Sequence, residues 1–132
     1  MTYGLDTSVV LRLATNDPAD LSQRTVDRIR QLRENGDDFI ISDVAINEIY
    51  YALQHHYQMS KMDAIETMRA IAASPGFSVS PEAMAALETP DAWKASPGMI
   101  DRMIANGYAA RGYVTISCER SFAKLDLTEV IK

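Results

Sequence analysis

Cysteine is almost missing from this chain. A single residue, Cys118, among 132 rules out an intrachain disulfide and favours a reducing compartment. Histidine is scarce as well. His55 and His56 stand side by side with no CxxC elsewhere, which argues against zinc and leaves them a surface or helix-dipole role. No glycine-rich phosphate loop is present. The opening MTYGLDTSVV has no basic n-region and no long apolar stretch, so no signal peptide is expected. No run reaches the ~18 apolar residues of a membrane span. These absences predict a soluble, cytoplasmic protein without a membrane partner. Positive charge is also in deficit, since the formal net charge is -5. That argues against binding nucleic acid by simple phosphate neutralisation. It argues less against a metal-dependent nuclease, because clustered carboxylates make the metal-free protein acidic and a bound cation reverses the local sign.

What is present is ordinary globular composition, with 47% apolar and 23% charged residues. The length suits one domain over residues 1–132, and nothing in it reads as a repeat or a dividing linker. Residues 3–5 read as a short strand running into Asp6, and 7–14 as a helix with Thr7 or Ser8 as its N-cap. Asp17-Pro18 opens an amphipathic helix carrying Leu21, Val26, Ile29 and Leu32, which ends near Asn35-Gly36. Residues 39–41 are a second strand, and Ser42 caps a helix to about 56. Ser60-Lys61-Met62-Asp63 has the capping-box pattern, with Asp in place of Glu, and starts a helix to about 73. Residues 77–79 are a third strand. Ser80-Pro81 and Ser96-Pro97 each suggest an N-cap followed by a first-turn proline, the second helix running to about Arg111. Strands follow at 113–118 and 129–131. Alternating strands and helices predict an α/β protein with a parallel sheet, whose ligands gather at the carboxyl ends of strands.

Asp6 and Glu119 fall at such ends. For Asp6 the alternative is a helix cap, and for Glu119 an ordinary polar residue closing a strand. Glu48 lies in a helix that is apolar almost all round, among Val44, Ala45, Ile46, Ile49, Tyr50, Tyr51, Ala52 and Leu53. Such a helix is expected to be buried. A carboxylate there costs several kcal/mol unless paired, neutralised or metal-bound; the alternative is a structural partner. Asp101 is expected in the second turn of its helix, ahead of Ile104, Ala105 and Tyr108, where the helix dipole alone would favour an acid by ~0.3–1 kcal/mol. Cys118 reads as an inert thiol in a buried strand, and Tyr50, Tyr51 and Met59 as core or interface rather than a surface for stacking RNA bases. Taken together, three or four converging carboxylates would need a cation to stay ionised. Hard oxygen ligands select Mg²⁺, with Mn²⁺ an alternative.

The residues that carry this chemistry resemble the PIN-domain family, specifically VapC-type toxins of type II toxin–antitoxin pairs. Leu5-Asp6-Thr7-Ser8-Val9-Val10 resembles the opening motif with the first metal-binding aspartate. Asn16-Asp17-Pro18 resembles the turn before the second helix, and Ile41 to Glu48 the segment ending in the second acid. Ile100-Asp101-Arg102-Met103-Ile104-Ala105 resembles the helix with the third. The Thr-x-Asp that usually follows aligns with Ser117-Cys118-Glu119, 18 residues beyond Asp101. Two positions depart from the family: the fourth acid is Glu119, and Gly98 stands where another Asp is frequent.

The resemblance implies a three-layer α/β/α sandwich with a short, mostly parallel sheet. It implies Mg²⁺-dependent cleavage of RNA, with Asp6, Glu48, Asp101 and Glu119 as metal ligands and catalytic acids. Thr7 or Ser8 would position water or a phosphate oxygen. It further implies a cognate VapB-like antitoxin and a homodimer. The competing expectation is a degenerate module that keeps the fold and binds a partner or RNA without cleavage. A phosphotransferase with Asp6 as nucleophile is disfavoured, because such enzymes commonly carry a second Asp two residues on, where Ser8 stands.

Overall fold

The computed structural model describes residues 1–132, in two compact units, Met1–Ser80 and Pro81–Lys132. Helices and short strands alternate, and every strand pair is parallel, in the α/β class that the sequence predicts. The strands fall into two sheets, one in each unit.

The first unit contains β1 (Thr2–Gly4), α1 (Thr7–Thr15), α2 (Ala19–Glu34), β2 (Asp38–Ile40), α3 (Asp43–His55), α4 (Lys61–Ala72) and β3 (Phe77–Ser78). Its sheet order is β1-β2-β3, and the register sets Tyr3 opposite Phe39 and Phe39 opposite Phe77. Partners in register point to the same face of a sheet, so three aromatic rings form one row. Their centroids lie 6.3 and 5.0 Å apart, spacings at which tilted aromatic pairs attract. Ile29 and Leu32 of α2 close over the row, joined by Leu5, Val9 and Leu13. α3 buries Ala45, Ile46, Ile49 and Leu53, α4 buries Ala64, Ile65, Met68 and Ala72, and the two helices pack together.

Local rules account for most helix ends. Ser42 Oγ accepts the Ala45 N–H at 3.2 Å and Ser60 Oγ accepts the Asp63 N–H at 3.0 Å, as expected of capping serines. α2 is followed by Asn35 and by Gly36 at φ 83°, a left-handed conformation that glycine adopts without strain. α1 follows the alternative given for Asp6 and not the cap expected at Thr7 or Ser8. Its N-cap is Asp6 itself, and Ser8, expected as a cap, is a donor to it.

The second unit contains α5 (Pro81–Leu87), α6 (Met99–Ala110), β4 (Thr115–Ser117) and β5 (Thr128–Val130), the last two parallel. A 3₁₀ turn, Arg120–Lys124, lies in the connection between those strands, and Thr128 Oγ1 ties it down by donating to the carbonyls of Phe122 and Leu125. α5 starts at Pro81 as predicted. α6 starts later than Ser96-Pro97 suggests, because the first helical bond runs from the Arg102 N–H to the carbonyl of Gly98, the N-cap. β4 is shorter than 113–118, and Tyr113 and Val114 lie exposed before it. Cys118 follows the strand and is exposed, so the buried thiol expected from its β-rich neighbours is not found. No helix is long and apolar enough to cross a membrane.

Candidate functional site

Asp6 stands just past the carboxyl end of β1 and caps α1. Its Oδ2 accepts from the Ser8 hydroxyl at 2.7 Å and from the Ser8 backbone N–H at 3.4 Å. The Ser8 hydroxyl bond, then the Ser8 amide, hold the carboxyl below the usual aspartate range, although the residue is open to solvent. Donors that bind the charged form favour it. Asp6 is therefore an ionised, acceptor-only group at neutral pH, ready for a cation.

A depressed pKa is also a stability statement. The contribution is present above the unfolded-state pKa and is lost as pH falls through the folded value. Ser8→Ala removes the larger donor and is expected to bring the Asp6 pKa back up toward the ordinary aspartate value. Carboxyl ¹³C NMR titration of the metal-free protein reads this directly; an unchanged Asp6 pKa would contradict the assigned cause.

Thr7 and Glu48 meet at a cavity of about 380 Å³ that Asn47, Tyr51 and Ala52 also line. α1 packs against α3, which brings the residue after Asp6 to the middle of α3. The Thr7 Oγ1 atom is buried and has no hydrogen-bond partner. A buried hydroxyl left unpaired costs roughly 1–3 kcal/mol.

Glu48 corrects the sequence reading in one respect. It is exposed, so the cost of burying a carboxylate does not single it out. α3 has a buried side through Ala45, Ile49 and Leu53 and an outward stripe through Val44, Glu48, Tyr51 and His55. Those four positions, at i, i+4, i+7 and i+11, lie on one face of any helix. That spacing is the signal by which Tyr51, and with it Asn47, would have been found as cavity residues.

The other two acids belong to the second unit. Asp101 is half-buried in the first turn of α6. Glu119 is exposed, follows β4 at its carboxyl end, and has its backbone N–H bonded to Ser117 Oγ at 3.0 Å. Gly98 caps α6 without a side chain, and a Cβ built there would meet nothing within 4 Å; an Asp at this position is sterically admissible.

The donors suit Mg²⁺ in kind. This ion takes oxygen ligands, keeps several of its waters, and needs only one or two carboxylates. Asp6 and Glu48 supply two exposed carboxylates, with Asp6 held ionised. A larger cage is not built, since in neither unit do three acidic, histidine or cysteine side chains come together as a metal-holding group.

Comparison with known proteins follows the same line. A family model described as PIN domain matches residues 3–127. No curated protein sequence matches the chain. Among solved structures, the chain is similar to one described as the crystal structure of VapBC2 from Rickettsia felis bound to a DNA fragment from their promoter. The identity is 15%, the TM-score is 0.45, and the match covers 98% of each chain.

Proposed function

The chain belongs to the PIN-domain family, and from that premise we propose that it is a metal-dependent endoribonuclease, the toxin of a toxin–antitoxin pair. PIN domains are generally nucleases and typically use divalent metals. The observation that carries the proposal is the cavity where Thr7, next to the ionised Asp6, meets Glu48. In this reading residues 1–132 act as one PIN-like domain. Asp6 and Glu48 hold Mg²⁺, or Mn²⁺ in its place, and Asp101 and Glu119 are the further ligands that their motifs suggest. When bound, the ion lowers the pKa of water and offsets charge on the phosphate during in-line displacement. Ser8 keeps Asp6 ionised and oriented. Thr7 or Ser8 positions a water or a phosphate oxygen, as their motif suggests. Hydrolysis adds water across one P–O bond, and the leaving ribose oxygen takes the proton.

The motifs extend the proposal to a VapB-like antitoxin, to a homodimer and to the cytoplasm. Metal removal tests it. Single-stranded RNA should be cleaved in Mg²⁺, spared in EDTA, and cleaved again when Mn²⁺ is supplied in excess. Cleavage that persists in EDTA would sink the proposal.

One observation favours a second reading. Gly98 stands where the family frequently carries an acid, and on that ground the alternative is a binding module that keeps the fold and cleaves nothing. Calorimetric titration with Mn²⁺ separates the two, since the binding module predicts no heat of binding at millimolar metal.

A further inference from the structure

We infer that Tyr51, stacked with His55 on the outer face of α3, is the platform on which one unpaired base of a single-stranded RNA stacks. The inference rests on the ribonuclease reading and names the substrate contact beside its acids.

The starting observation is an aromatic residue where burial would be expected. A tyrosine side chain gains by leaving water, yet Tyr51 is 66% exposed while the helix around it packs Ala45, Ile49 and Leu53 inward. The His55 ring, one turn further along α3, lies against it with centroids 4.5 Å apart and planes tilted by 40°. Two adjacent rings offer their π-faces to a further flat partner.

The cavity beside it has the chemistry of a nucleobase edge. At about 380 Å³ it lies within the range of roughly 300–1,000 Å³ that receives small ligands. Asn47, in its lining, both donates and accepts. A base has an apolar π-face and a polar rim, and these residues offer a complement to each. Glu48 and Tyr51 are three residues apart, about 4.5 Å along the helix axis. A base on Tyr51 would thus bring its phosphate next to the carboxylate proposed to hold the metal.

Charge favours this mode over phosphate clamping. The chain carries a net charge of -5, which argues against affinity that comes mainly from neutralised phosphates. Stacking supplies affinity that does not depend on net charge, and single strands are recognised this way because their bases are free. A self-association face is the other use for an exposed tyrosine. Against it, Glu48 sits within the same stripe with Asn47 beside it, and a dry interface would bury that carboxylate unpaired.

The test uses the full chain in EDTA, so that nothing is cleaved, and single-stranded RNA heptamers carrying one 2-aminopurine at each position in turn. With the wild type and Tyr51→Phe, one position should lose fluorescence on binding, by stacking. Tyr51→Ala should bind about tenfold more weakly and should not quench. Circular dichroism checks that each variant is folded. If Tyr51→Ala binds and quenches as the wild type does, the inference is overturned. It is overturned equally if the wild type does not bind the heptamers, or if sedimentation shows that Tyr51→Ala splits a dimer while quenching persists. Parallel cleavage assays of the wild type in Mg²⁺ keep the two ideas apart. Cleavage with Tyr51-independent binding removes only the stacking platform; Tyr51-dependent quenching without cleavage removes only the nuclease.

Discussion

Asp6→Asn is expected to cleave single-stranded RNA at least about 100-fold more slowly than the wild type while keeping its fold. The size follows from metal chemistry: changing groups that merely support a ligand typically costs 10–100-fold in affinity or activity, and a ligand itself should cost no less. What makes this substitution informative is that Asp6 has two roles that Asn separates. As N-cap of α1 it accepts the Ser8 N–H, and Asn caps a helix about as well as Asp. As a cation ligand it contributes a full negative charge, which Asn lacks. A folded protein with lost cleavage therefore assigns the loss to charge. Equal loss of helix content and activity would instead assign Asp6 to structure alone. Activity retained in Asp6→Asn would overturn the metal site. Glu48→Gln should behave in the same way, because Glu48 is exposed and its substitution disturbs no packing.

The contrast between Asp6 and Glu48 explains how much of the site was legible in the sequence. Asp6 was visible through a local rule, a short strand running into an acid and then a helix, and the structure keeps that order. Ser42 and Ser60 were visible as caps for the same reason, since capping involves only the next three residues. Glu48 is marked by its motif, Ile41 to Glu48, and not by burial. Counting apolar residues makes α3 look buried all round, but Val44 and Tyr51 are 70% and 66% exposed. An apolar side chain carries no mark of whether a neighbour covers it; that depends on tertiary packing. The same gap placed Cys118 in a buried strand, although it lies exposed beyond β4. Glu119 is found after β4 as expected, whereas Asp101 falls in the first turn of α6 and not the second, because the helix starts at Met99 and not at Pro97. Their chemistry rests on the motifs. The start of α6 shows a limit of another kind. Ser96-Pro97 satisfies the local cap pattern, but the helix begins only where Gly98 offers the first accepting carbonyl. Pattern rules rank candidate starts, and the backbone path through the preceding loop selects among them.

Phe39→Ala should be the most damaging single truncation in the first unit, at about 3–5 kcal/mol. Phe39 is fully buried in the middle strand of a three-stranded sheet. Tyr3 and Phe77 flank its ring on either side, and Ile29 and Leu32 cover it from α2. Removing the ring deletes its own transfer energy, breaks both aromatic pairs and leaves a void between the sheet and α2. The void is hard to close, because its walls come from two neighbouring strands and a 16-residue helix, none of which can shift without disturbing the others. Phe39→Leu keeps most of the volume and should cost well under half as much. Urea unfolding monitored by circular dichroism measures both. The loss also reaches the function, since β1 pairs directly with β2 at Tyr3 and Phe39 and leads into Asp6 two residues beyond its end. Against a usual total stability of about 5–15 kcal/mol, a loss of this size takes the cleavage geometry with the fold when the domain is marginally stable. Loss of cleavage in Phe39→Ala must therefore be accompanied by lost structure, whereas in Asp6→Asn it must not.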